Sequence, residues 1–222
     1  MIFPSIHLKN SISTLILLSI GFLLLSFDPF PPLTMFAIFI AGMIGVKVLG
    51  LHYRDIFLNV EKKQIKWGFL AYFASFILAA ASAFLLTALK VPTSGNPITD
   101  EFTGDFLTII LRLLTTLPQL LGEELLTILP FLMLLRLLTS YSISEKKAGI
   151  LALIVTSIGF GLLHLPTYNW NLLQCLLIIS LARIPFTLVY MKTKNIYISW
   201  LSHVLYDWTV FIVAILTALV MH

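Results

Sequence analysis

Gly122-Glu123-Glu124-Leu125-Leu126 sets two adjacent carboxylates inside a run, Phe106 to Leu138, that is otherwise almost wholly apolar. Carrying one acidic side chain to the centre of a membrane helix costs roughly 2.5 to 3.5 kcal/mol on insertion scales, so a Glu-Glu pair there needs partners, protons or a water-filled cavity. The composition says that the run does lie in a membrane. The chain of 222 residues is 59% hydrophobic and 11% charged with a mean hydropathy of +1.01, against roughly 25% charged residues in a soluble domain. Backbone in lipid must satisfy its own hydrogen bonds. The expected architecture is all-α, a polytopic transmembrane helical bundle of about 7–8 helices with a conical intramembrane polar cavity, one membrane domain over residues 1–222.

Outward from that stretch, apolar segments long enough to cross ~30 Å of hydrocarbon fall at 11–27, 33–51, 67–89, 106–138, 148–165, 172–190 and 196–220. The fourth exceeds one simple crossing and carries Pro118, Gly122 and Pro130, which predicts a lateral helix over 106–119 followed by a spanning helix over 120–138. No small-x-small cleavage site precedes the Asp28-Pro29-Phe30-Pro31-Pro32 break, so the first helix is expected to stay in the membrane. Placing the N-terminus in the cytoplasm collects Lys9, Arg54, Lys62, Lys63, Lys66, Lys146, Lys147, Lys192 and Lys194 inside and leaves Lys90 outside. The same assignment puts the Val91 to Asp105 connection and the C-terminus on the outer side. These charges sit where topology signals sit and give no reason to expect a nucleic-acid partner. The single Cys175 excludes an internal disulfide and reads as a small core residue.

Other groups able to answer the two carboxylates are few. They are His164 in Phe160-Gly161-Leu162-Leu163-His164, and His203 with Asp207 in His203-Val204-Leu205-Tyr206-Asp207. Neighbouring helical positions point about 100° apart, so Glu123 and Glu124 cannot both aim at one atom. His203 and Asp207 share a helical face, as do Phe160 and His164. Arg183 stands mid-span with no local acid and is a candidate counter-charge for Glu123, Glu124 or Asp207. Lys47 and Arg136 lie near helix ends and can snorkel, while Arg112 falls on the expected lateral helix.

Glu123-Glu124, Phe160-x-x-x-His164 and His203-x-x-x-Asp207, in this order on consecutive membrane segments, resemble the three motifs of the CPBP intramembrane proteases. That family includes the type II CAAX-processing endopeptidases and the bacterial Abi, or bacteriocin-immunity-associated, proteins. The resemblance covers about residues 100–215, and the basic turn Lys192-Thr193-Lys194-Asn195 before the last motif is similar too. The chain departs from the pattern twice. Ile128 stands where the first motif has Arg, which points either to a non-catalytic member or to compensation by Arg183, Arg136 or Arg112, and Asp207 stands where the third motif more often has Asn.

What the resemblance implies is hydrolysis of a peptide bond in a low-dielectric pocket. Glu123 or Glu124, with His164, activates the water, and His203 with Asp207 holds the carbonyl oxygen as its charge develops. Phe160 and Arg183 support the site. His164, His203, Asp207 and Glu124 offer a zinc site with an open position, but His-Glu-x-x-His is absent and a metal-free glutamate mechanism fits the same residues. The expected setting is a bacterial plasma membrane, with membrane lipids around the chain and a small membrane peptide or protein as substrate. Bacteria generally lack prenylation, which favours pheromone precursors, bacteriocins or regulatory membrane proteins. The competing readings are a catalytically silent relative that binds a sensor kinase or a bacteriocin-system partner, and a proton-coupled transporter. If the two imidazoles share a site, the fifth helix must stop short of the far surface, leaving 165–171 as irregular backbone at membrane depth.

Overall fold

The structure is a computed structural model, and it describes residues 6–27, 36–97 and 106–221. Among these, seven helices follow one another: α1 (Ser11–Phe27), α2 (Ala37–Val48), α3 (Lys62–Ala88), α4 (Phe106–Ser140), α5 (Glu145–Leu163), α6 (Leu172–Thr193) and α7 (Ile196–Met221). There is no strand among the described residues. Five stretches are long and apolar enough to cross a membrane: Leu8–Ser26, Lys62–Ala88, Glu145–Leu163, Leu172–Thr193 and Ile196–Thr217. Helix α2, expected over 33–51, is shorter, and part of the expected segment lies outside the described residues.

The expected break of the fourth segment near residue 119 is not there. Helix α4 runs through both Pro118 and Pro130 as one element of 35 residues, about 52 Å at 1.5 Å per residue. Each proline removes one backbone hydrogen bond. Packing keeps the helix whole, because α2, α5 and α7 all lie against α4. At the α2 crossing a Cβ on Gly122 would sit 2.6 Å from the Phe39 backbone nitrogen, so only glycine admits this approach.

Helix α3 shows why an apolar sequence still packs with a defined face. Its buried positions are mainly small, Gly68, Ala71, Ser75, Ala79 and Ser82, and they meet α6 and α7. Its large side chains point away: Phe73 is 57%, Ile77 65% and Phe84 76% exposed. Lipid tails are as apolar as Leu, so close backbone approach rather than burial of Leu or Phe drives such helix contacts.

Helices α4 to α7 form the centre, with α3 outside α6 and α7, and the α1–α2 pair outside α4. Helix α5 ends at Leu163, and residues 164–170 are turns. Between Cys175 and Ile179, α6 contains a π turn. There a Cβ on Gly161 of α5 would fall 2.0 Å from Ser180 Oγ and 2.5 Å from the Cys175 carbonyl, so α5 and α6 touch at backbone distance three residues before His164.

Candidate active site

Glu123 and Glu124 part company as their 100° separation requires. Glu124 is wholly buried and turned into the helix bundle. Arg183 of α6 meets it in a two-point fork, Nη1 to Oε1 at 2.5 Å and Nη2 to Oε2 at 3.0 Å. The Ser199 hydroxyl donates to Oε2, and the His203 Nδ1–H donates to Oε1 at 2.9 Å. A planar guanidinium matched to a carboxylate is the strongest form of such pairing. The guanidinium also lies over two aromatic rings, its carbon 4.9 Å from the Phe160 centroid and 5.7 Å from that of Phe186.

Glu123 faces the other way and lines a cavity of about 220 Å³ shared with His164, His203, Asp207, Phe160, Arg183 and Tyr168. Gln119, one turn earlier on α4, donates through Nε2 to Glu123 Oε1 at 3.0 Å. This leaves Oε2 toward His203, 3.9 Å from its Nε2, while Asp207 Oδ2 lies 3.6 Å from the same nitrogen. One imidazole thus touches both members of the Glu pair, each through a different ring nitrogen. The Phe186 ring stacks on His203 at 5.0 Å and fixes its plane.

His164 caps the end of α5, where its Nδ1–H donates to the Phe160 carbonyl at 2.8 Å. That bond sets the tautomer and leaves Nε2 as an acceptor. The Phe160 ring lies 4.5 Å from the imidazole, the one-turn packing that their spacing implies. Ending α5 here and continuing as turns brings His164 to the cavity that His203 reaches from the middle of α7.

Of the three arginines able to answer the missing motif Arg, Arg183 is the one on Glu124, whereas Arg136 is exposed on the far part of α4. Ile128 itself is fully buried in the apolar cluster with Leu125, Leu129 and Phe131. Gln119, Ser199, Tyr168 and Gln174 escaped the sequence reading. A periodicity signal was available for two of them: Gln119 lies four before Glu123, and Ser199, His203 and Asp207 repeat every four residues on one face.

Within the set of His164, His203, Asp207 and Glu124 considered for zinc, Glu124 is not available as a ligand. Both Glu124 oxygens are taken by Arg183, Ser199 and His203, which removes Glu124 from the set, while each imidazole uses only Nδ1 in a hydrogen bond. Among the described residues no group of three or more His, Cys, Asp or Glu side chains is placed to hold a metal ion.

The family model described as Rce1-like, Type II CAAX prenyl endopeptidase Rce1-like, matches residues 104–209. The matched segment runs from the start of α4 to two residues past Asp207 and contains all three motifs. No curated protein and no solved structure matches the chain.

Proposed function

We propose, from the premise that residues 104–209 match a protease family, that this multi-pass membrane protein is an intramembrane endopeptidase of a bacterial plasma membrane. Its substrate is a peptide bond in a small membrane-associated peptide or protein. The observation that carries the reading is the division of the Glu pair. Glu123 meets His164, His203 and Asp207 at one cavity, while Glu124 is committed to Arg183 behind it.

In this reading Glu123 is the base. A water held by Glu123 and His164 Nε2 attacks the carbonyl carbon, and its proton passes to the Glu123 carboxylate. The developing oxyanion is met from the His203–Asp207 side, where His203 donates through Nε2 when the ring holds its second proton and Asp207 donates when its carboxyl is protonated. The C–N bond then breaks, Glu123 gives its proton to the leaving nitrogen, and a carboxylic acid and an amine result, the acid passing its proton to solvent on release. Arg183 and Glu124 touch no reacting atom. They are positioning residues: Glu124 accepts from the His203 Nδ1–H, and Arg183 holds Glu124 and takes the place of the cation absent at Ile128.

Purified protein in lipid, given a panel of small membrane peptides, tests this. Glu123→Gln and His164→Ala are expected to lose cleavage by roughly 10²-fold or more while remaining folded, and a zinc chelator is expected to change nothing. Full cleavage by Glu123→Gln would remove Glu123 from the mechanism. Ile128 favours one other reading, a silent relative that binds a membrane partner such as a sensor kinase or a bacteriocin-system protein. That reading gains if no peptide is cut and the same variants still restore the host phenotype.

A further inference from the structure

The cavity has a direction. Beyond Asp207 it is lined by Val210 and Phe211 of α7, by Gln174 and Ile178 in the first half of α6, and by Ser94 and Asn96 of the segment after α3. Toward the other end the bundle is closed: Ile128, Phe131, Tyr190, Ile196 and Ser199 are all fully buried. Among the described residues the cavity therefore opens toward 94–96 after α3 and the α5–α6 turns, and it is shut toward the α6–α7 turn.

Among the described residues the rim is amide-rich. Gln174 grips the Ser94 backbone at two points, accepting from its N–H at 2.8 Å and donating to its carbonyl at 2.7 Å, and the Asn171 side chain donates to the Pro92 carbonyl at 2.6 Å. The shut end is basic. It holds the start of α3, the α4–α5 and α6–α7 connections and the end of α2, with Lys192 3.9 Å and Lys66 5.3 Å over the Trp67 ring. Of the fourteen Lys and Arg residues, Arg183 is buried at the site and only Lys90 and Arg112 lie toward the open end; the other eleven lie toward the shut end. Short connections rich in Lys and Arg stay in the cytoplasm, and an aromatic residue among them marks the interface.

We infer that the cavity opens to the extracytoplasmic face and that the substrate is a peptide presented there, an exported peptide or the outer end of a membrane-anchored protein. The substrate half of the inference rests on the protease reading; the sidedness does not. The polar lining of the mouth by Ser94 and Asn96, held in place by Gln174 and Asn171, suits a peptide backbone, whose amides need both donors and acceptors.

Single cysteines read the sidedness without any activity. Native Cys175 is fully buried and supplies the unreactive control. Thr93→Cys on the rim, Val210→Cys within the mouth and Lys147→Cys at the basic end are expressed, and right-side-out vesicles are treated with a small, membrane-impermeant sulfonated thiol reagent. Thr93→Cys and Val210→Cys are expected to react from outside, and Lys147→Cys only after lysis. Reaction of Lys147→Cys from outside with Thr93→Cys protected would reverse the orientation. Reaction of Val210→Cys only from the Lys147 side would place the mouth at the other end. Either result overturns the inference. A parallel arm supplies fluorogenic peptides with a charged, impermeant tag outside the vesicles or sealed within them. Cleavage from outside only is the expected result, and cleavage from within only overturns the substrate assignment. With outer labelling and no cleavage on either side, the protease reading and its substrate fall while the sidedness stands.

Discussion

Arg183 is 1% exposed, so its two bonds to Glu124 decide whether that buried carboxylate is tolerable. Replacing one partner of a buried pair strands the other, a cost of roughly 3–5 kcal/mol. Arg183→Met is therefore expected to lower thermal stability in detergent sharply, and Arg183→Met with Glu124→Leu to recover most of it, which a melting series checks. Gln119 acts on the other carboxylate. It bonds to the site through Glu123 Oε1, so Gln119→Leu keeps the volume and frees the carboxylate to turn. Turnover is expected to fall by about tenfold, the scale of one hydrogen bond, with KM and melting temperature little changed. A purely structural role for Gln119 would move the melting temperature instead. At this scale the sequence was informative about which groups bear charge in an apolar setting, because the desolvation cost marks them. It did not tell Glu123 from Glu124, since that depends on which face of α4 meets Arg183, a residue 59 positions away from Glu124.

Between α6 and α7 the chain turns through Lys194, in the left-handed region with φ 57°. It is half-buried, and that burial lowers its pKa from the ordinary 10.5 to about 8, against the raising influence of Glu145. The sign follows from the proton count. Between pH 8 and 10.5 the unfolded chain holds a proton on this amine that the folded chain has released, so stability rises with pH across that window. Thermal melting from pH 7.5 to 10.5 is expected to show that rise, and Lys194→Gln to flatten it. The turn is fixed by Asn195, whose side chain donates to the Leu58 carbonyl at 3.0 Å, and it sets where α7 begins and so where His203 faces. Helix ends of this kind were legible to within a few residues for α5, α6 and α7, since charge and Pro or Asn punctuate them. Helix α4 was misread because Pro118 and Pro130 count as breaks in isolation, whereas neighbours on three sides carry the helix through them.

Over the whole molecule, the motif-bearing helices α4 to α7 form a polar-centred bundle, and the α1–α2 pair docks against its outside through α4. Gly122 is one close point of that contact, so Gly122→Val tests the docking. With the Cβ position 2.6 Å from Phe39 N and 2.8 Å from the Ile38 carbonyl carbon, the added bulk meets backbone as well as the Ile38 side chain. A loss of about 1–3 kcal/mol or more is expected, the range for overpacking, seen as a lower melting temperature and faster proteolysis between α2 and α3. Composition was enough to read this helical membrane architecture, because only internally bonded backbone survives in lipid. The inward placement of α5's end could be inferred only from requiring His164 and His203 to meet. The π turn at Cys175–Ile179 carries a consequence for inheritance. A turn closed between residues five apart holds one residue more than an α turn, and each residue advances a helix by about 100°. Loss of a single codon there would return the turn to α form and leave the two flanks in phase, with Arg183 still aimed at Glu124, whereas a codon lost from an α turn rotates one flank by about 100°. A one-residue deletion of Ile178 is therefore expected to lower the melting temperature less than Arg183→Met does. In this chain the charge pair is inherited as a reading of helix register, and the π turn is the place in α6 where that register can lose a residue and survive.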